Sequence, residues 1–180
     1  PFSVTHSKFD FLDFSSNINP IGAFSTVRET IKNHLDKIQI YPDSESIQLR
    51  KNLQYYTKVP YSQIVVGNGA TEIIYNFCQA FLSNKKSVLI PIPTFGEYES
   101  AAKLNGAKVS FFKTMNLEKD IDDFISKIPY NGCIFICNPN NPTGNLISKK
   151  TLHKIISLTS KKKTLVFIDE CFIELVPDHD

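Results

Sequence analysis

The sequence predicts an α/β protein: a mostly parallel sheet covered by helices on both faces. Three observations carry that reading. From Gln63 onward, short apolar runs of strand length alternate with stretches of helical period. The runs SVLIP, CIFIC and TLVFI are apolar throughout rather than at every second residue, as strands buried on both faces are. Polar loops follow these runs at their C-terminal ends, where open α/β sheets bind their ligands.

Composition narrows the classes. At 180 residues the chain is long enough for one domain with a sizeable core, and 42% hydrophobic residues favour a globular fold. A formal net charge of +2 argues against a nucleic-acid surface. The basic groups Lys85-Lys86, Lys149-Lys150 and Lys161 to Lys163 fall at predicted helix ends and read as solvated. None of the four cysteines forms a CxxC pair, so no metal site and no oxidised cross-link is expected, and a reducing cytoplasm fits. No apolar run approaches the roughly 20 residues of a membrane span. The start, PFSVTHSKFD, does not read as a signal peptide.

The elements follow in order. The first 24 residues read as irregular and include LDFSSNINPIG. Ser25 is the expected N-cap of a helix to about Ile38, with Val27, Ile31, Leu35 and Ile38 at helical spacing. Tyr41-Pro42-Asp43 breaks it, and a second helix is expected over about 44–57. Ile64 to Val66 reads as a short strand. A helix is expected over about 71–83, then strand SVLIP, then a helix of about 95–105 ended by Gly106. AKVSFF is a strand, Asn116 the expected cap of helix LEKDIDDFISKI, and CIFIC a strand with Cys133 and Cys137 on one face. Ser148 caps a helix to about Thr159, and TLVFID is the last strand.

Two stretches organise the chain: CNPNNPTG, Cys137 to Gly144, and FIDE, Phe167 to Glu170. Each follows or ends a buried-type strand, so Asn141 and Asp169 are expected to face one crevice. Taken alone, NPNNPTG is a turn sequence. Together with a downstream strand ending in DE, it resembles the aminotransferase-type fold of pyridoxal 5'-phosphate (PLP) enzymes. That resemblance implies a cofactor, PLP. It implies that Asn141 hydrogen-bonds the ring's phenolic oxygen and that Asp169 pairs with the pyridine nitrogen. An ionised carboxylate there keeps the nitrogen protonated, and the ring can then act as an electron sink.

The other candidate residues have a plain reading beside the one the resemblance implies. Gly67 to Glu72, GNGATE, is either a strand-to-helix turn or a phosphate cup at a helix N-terminus, with Gly69, Ala70 and Thr71 as its lining. A Rossmann nucleotide site competes, but GNGATE lacks the third glycine of GxGxxG. Phe95 is a core aromatic or, as in the family, a plate stacked on the cofactor ring. Tyr41 is a packing residue or reaches the phosphate of a neighbouring subunit, which would require a homodimer. Asn17 and Asn19 contact substrate or cap the helix at Ser25. His6 corresponds loosely to a family substrate residue, with His-Ser where relatives have His-Gly.

The resemblance also implies a domain plan and a class of reaction. Residues 1–40 would be an N-terminal segment with part of a small domain, and 41–180 the first part of the PLP-binding large domain. The lysine that carries the cofactor would lie beyond Asp169, and no lysine follows Lys163, so about half of a family member is represented. Two groups share the scaffold: histidinol-phosphate aminotransferases and threonine-phosphate decarboxylases of cobalamin synthesis. The former usually carry Tyr at position 95 and DEAY at 169–172; here stand Phe95 and DECF. The sequence therefore favours decarboxylation of L-threonine O-3-phosphate to aminopropanol phosphate, a small phosphorylated amino-acid substrate, with the aminotransferase second. A non-catalytic protein of PLP-enzyme fold is the third reading.

Overall fold

The computed structural model describes residues 16–19, 21–83 and 85–177. It falls into two compact units, residues 1–47 and 48–180.

In the first unit, helix α1 spans Ser25–Lys32 and a 3-10 turn spans Leu35–Gln39. The expected single helix to Ile38 is therefore interrupted. The reason is local: the backbone N–H of His34 bonds Ile31 O at 3.1 Å, and its ring nitrogen lies 2.8 Å from Thr30 O, which tightens and ends the last turn. Ser25 is the first helical residue rather than the cap; Phe24 holds the cap position and supplies no side-chain bond. Val27, Ile31, Leu35 and Ile38 are exposed. Asp43 makes the next break. Its carboxylate accepts from Glu45 N at 3.0 Å and Ile47 N at 2.8 Å, which delays helix α2 to Ile47–Thr57.

The second unit carries the sheet. The expected strand at 64–66 does not form. Ile64 is extended, with φ −101° and ψ 127°, but the stretch has no ladder partner among the described residues, and extended backbone becomes a strand only when paired. Helix α3, Ala70–Phe81, leads to strand β1, Ser87–Ile92. Helix α4, Glu97–Leu104, strand β2, Lys108–Lys113, and helix α5, Ile121–Lys127, follow. Strand β3, Cys133–Cys137, helix α6, Lys149–Lys161, and strand β4, Leu165–Asp169, complete the unit. Asn116 caps only a turn, accepting from Lys119 N at 3.1 Å, and α5 starts four residues later than that cap implied, behind Asp120. Lys162 is not merely solvated: its ammonium donates to Ile128 O at 2.8 Å and so closes the carbonyl end of α5.

All strand pairs are parallel, in the order β2-β1-β3-β4. Alternate residues of β1 and β3 feed two cores. Val88, Ile90, Cys133, Phe135 and Cys137 join Ile74 and Cys78 of α3 and Tyr98, Ala101 and Ala102 of α4. Leu89, Ile134 and Ile136 join Phe124 of α5 and Ile155 of α6 on the opposite face. Cys133 and Cys137 are thus core residues, as expected, and the four cysteines are free. The chain winds from β1 out to β2, then returns past β1 to β3. That reversal opens a crevice at the C-terminal ends of β1 and β3, the place where ligands bind in such sheets.

Glu118 ties α6 to the loop before α5. Its carboxylate accepts from Ser148 N (3.0 Å), Ser148 Oγ (2.8 Å) and Thr151 Oγ1 (2.7 Å). Partial burial pushes its pKa up, but these bonds from Thr151 and Ser148 outweigh burial and hold it below the ordinary 4.5. A lowered folded-state pKa means that the stabilisation is fully present above about pH 4.5 and fades as pH falls through the lower folded value. Glu118→Gln is expected to cost about 1 kcal/mol at pH 7. Urea unfolding should show that difference shrinking towards zero at pH 3; a difference that is constant with pH would contradict the account.

Candidate active site

The crevice has a volume of about 220 Å³ and is lined by Ala70, Thr71, Phe95, Tyr98, Cys137, Asn141, Asp169, Cys171 and Phe172. Five residues singled out in the sequence therefore meet in one place, delivered by the starts of α3 and of the loop before α4 and by the ends of β3 and β4.

The loop after β3 shows why asparagine recurs there. Asn138 is buried; its Oδ1 accepts from Ile147 N at 2.7 Å. Asn140 accepts from Thr94 Oγ1 at 2.7 Å and donates to Pro93 O at 3.0 Å and Thr143 Oγ1 at 2.8 Å. It thereby clamps this loop to the one that presents Phe95. Both side chains are spent on holding the loop in place. Asn141 differs: its main-chain N–H meets Cys137 Sγ at 3.4 Å, while its carboxamide has no hydrogen-bond partner among the described residues and faces the crevice.

Asp169 ends β4 with 8% of its surface exposed. Its Oδ2 accepts from the Tyr98 hydroxyl at 2.6 Å and its Oδ1 from Cys171 N at 2.9 Å. In-register pairing of Cys137 with Asp169 sets the strand end, and Asn138 N donates to Asp169 O at 2.8 Å. Tyr98 is fully buried, stacked on Phe135 at 5.1 Å, and meets Phe95 edge-on at 5.7 Å. Burial first, and the bond to Asp169 second, push the Tyr98 pKa far upward, so it stays a donor. Burial also raises Cys137, against bonds from Tyr98 and Asn141 that lower it, and raises Cys171 with help from the Asp169 charge. Neither thiol is therefore poised as a nucleophile.

At the start of α3, Gly69 has φ +85° and ψ 173°, a conformation open essentially to glycine alone. It turns the chain into a 12-residue helix with no side-chain cap bond, and the first-turn N–H groups of a helix have no intrahelical partner. Glu72 braces this turn by accepting from Asn68 Nδ2 at 2.8 Å.

Of the remaining sequence candidates, Asn19 lies in the first unit. It accepts from Ile21 N at 3.0 Å and bonds Gly22 O, so it organises a local turn rather than capping α1. Tyr41, also in the first unit, has an exposed side chain. His6 lies outside the described residues. Tyr98 and Cys137 were missed by sequence reasoning; an aromatic three residues after Phe95, at a helix start, was the available signal for Tyr98. Among the described residues no cluster of His, Cys, Asp or Glu is placed to hold a metal, and no helix is long and apolar enough to cross a membrane.

The donor set suits a flat, anionic, heteroaromatic group. It offers an aromatic plate, a carboxylate, an unspent carboxamide and a helix N-terminus for a phosphate. PLP has those parts. Comparison with known proteins gives the same answer. The chain is 38% identical over 170 residues to the histidinol-phosphate aminotransferase of Methanococcus aeolicus, covering 92% of this chain and 45% of that protein. The structure resembles the histidinol-phosphate aminotransferase of Clostridium acetobutylicum, with a TM-score of 0.75 and 34% identity over 94% of this chain and 51% of that one. It also resembles L-threonine-O-3-phosphate decarboxylase of Porphyromonas gingivalis, with a TM-score of 0.69, 27% identity, and 82% and 45% coverage. The chain thus spans about half the length of these relatives. With residues 10–180 matching the family described as aminotransferase class I and II, the chain belongs to that family of PLP-dependent enzymes.

Proposed function

We propose that the full-length enzyme transfers the amino group of histidinol phosphate or a close phosphorylated amine. The carrying observation is the convergence of Thr71, Phe95, Asn141 and Asp169 on one crevice, where the Asn141 carboxamide has no hydrogen-bond partner among the described residues. The names of the relatives support an aminotransferase over the decarboxylase that the sequence favoured. When bound, PLP would supply an electron sink conjugated to the substrate's α-carbon. In this reading Asp169 faces the ring nitrogen and Asn141 donates to the phenolic oxygen. Phe95 flanks the ring, and Gly69, Ala70 and Thr71 present N–H groups and a hydroxyl to the phosphate. Tyr41 reaches the phosphate held by a neighbouring subunit of a cytoplasmic homodimer, and Asn19 and His6 belong to the substrate side. The domain plan, 1–40 and 41–180, goes with the same reading.

Decarboxylation of threonine phosphate is the second reading. It is favoured by Phe172, which lines the crevice with no hydroxyl to offer the cofactor. The two reactions differ in which α-carbon bond stands perpendicular to the ring, so the substrate's orientation decides between them. Full-length enzyme offered both substrates is expected to consume histidinol phosphate only when 2-oxoglutarate is present. Release of CO2 from threonine phosphate without an oxo acid would reverse the order of the two readings.

A further inference from the structure

A carboxylate that must face a flat ring has to be held at a fixed tilt. Asp169 is short, sits at the last position of a strand, and is 8% exposed. Among the described residues no cation pairs with it. Its fixed donors are Cys171 N on Oδ1 and Tyr98 Oη on Oδ2, the latter at 2.6 Å. The main-chain donor belongs to the same turn as Asp169 and moves with it. The tyrosine comes from another element, the helix α4, and is locked in place. It is 0% exposed, stacked on Phe135 with an interplanar angle of 18°, and edge-on to Phe95 at 80°. One rigid ring therefore touches both the aromatic plate and the carboxylate.

We propose that Tyr98 is a positioning residue: its hydroxyl fixes the plane of the Asp169 carboxylate against the cofactor ring, while its ring edge sets the tilt of Phe95. The proposal rests on the reading that Asp169 faces the ring nitrogen. A hydrogen bond to an ionised group is stronger than one between neutral groups, and here it spans two elements, so its loss frees the carboxylate to rotate.

The test is a double-mutant cycle in full-length enzyme, with Tyr98→Phe, Asp169→Ala and both together. PLP affinity is measured by titrating cofactor-stripped protein, beside the visible absorbance of the bound cofactor and kcat and KM. Tyr98→Phe is expected to weaken PLP binding about tenfold, shift the absorbance and lower kcat with KM little changed. In the Asp169→Ala background the same change is expected to do almost nothing. Equal effects of Tyr98→Phe in both backgrounds, or no effect in either, would overturn the proposal. If Asp169→Ala alone leaves affinity and absorbance unchanged, the ring-nitrogen reading has failed, and the proposal falls with it. Should Tyr98→Phe not fold, 3-fluorotyrosine at position 98 keeps the hydroxyl and adds one small fluorine beside it, which makes the hydroxyl a stronger donor. A shifted cofactor absorbance then supports the role, and an unshifted one overturns it.

Discussion

Replacing Asp169 with alanine in the full-length enzyme is expected to lower kcat/KM by several powers of ten while leaving a folded protein. The kinetic loss follows from the charge. In the proposed reading the Asp169 carboxylate would face the ring nitrogen and keep the ring electron-poor, and each 1.36 kcal/mol of stabilisation lost with it is a factor of about ten. The structural loss is smaller. Tyr98 Oη and Cys171 N lose their acceptor, at about 1–3 kcal/mol for each donor left buried and unpaired. Water entering the open crevice reduces that cost. Steady-state kinetics, with thermal unfolding as the control, separates the two effects. Near-normal turnover of Asp169→Ala would remove the ring-nitrogen assignment.

Phe135→Ala is expected to have the largest effect on stability, about 3–5 kcal/mol. Phe135 is 1% exposed in the middle of β3, an inner strand. Its ring packs on Tyr98 at 5.1 Å, Phe167 at 5.4 Å and Phe77 at 6.0 Å. These neighbours belong to three different elements and cannot all close the hole together. Truncation there also loosens the ring on which Tyr98 rests. Denaturant unfolding of the full-length protein measures the loss; a cost below about 1 kcal/mol would mean that the aromatic cluster relaxes freely.

Much of this was legible in the sequence because the parallel sheet writes itself plainly. CIFIC and TLVFI have no alternation to misread, and each ends at the predicted residue or beside it. The crevice residues were legible because NPNNPTG, GNGATE, PTFGEY and the strand end DE resemble the family's motifs, whereas the pattern alone offered only turns and a core aromatic for them. Where the reading failed, the cause was a contact that one-dimensional pattern does not carry. Ile64 to Val66 has strand composition, but the strand needs a partner that the described sheet does not offer. The helix after Ser25 keeps its apolar spacing through Ile38, yet backbone bonds at His34 end it sooner. The three asparagines of NPNNPTG look equivalent as letters. Only the positions of Ile147, Pro93 and Thr94 reveal that Asn138 and Asn140 are structural and Asn141 is not. Tyr98 was hidden for the same reason, since its partner lies 71 residues away.

The winding reversal at β1 and β3 has a consequence for how the protein comes into being. Val88 pairs with Cys133, so β1 finds its second neighbour only after the whole excursion through α4, β2 and α5 has been made and folded back. Such distant pairing pays loop-closure entropy before any contact rewards it, and it slows folding. Phe95 and Asn141 stand on opposite sides of that late seam. The capacity to hold a cofactor therefore requires both that pairing and the pairing of β3 with β4 that delivers Asp169, so cofactor capture by a refolding chain would report that the sheet is closed.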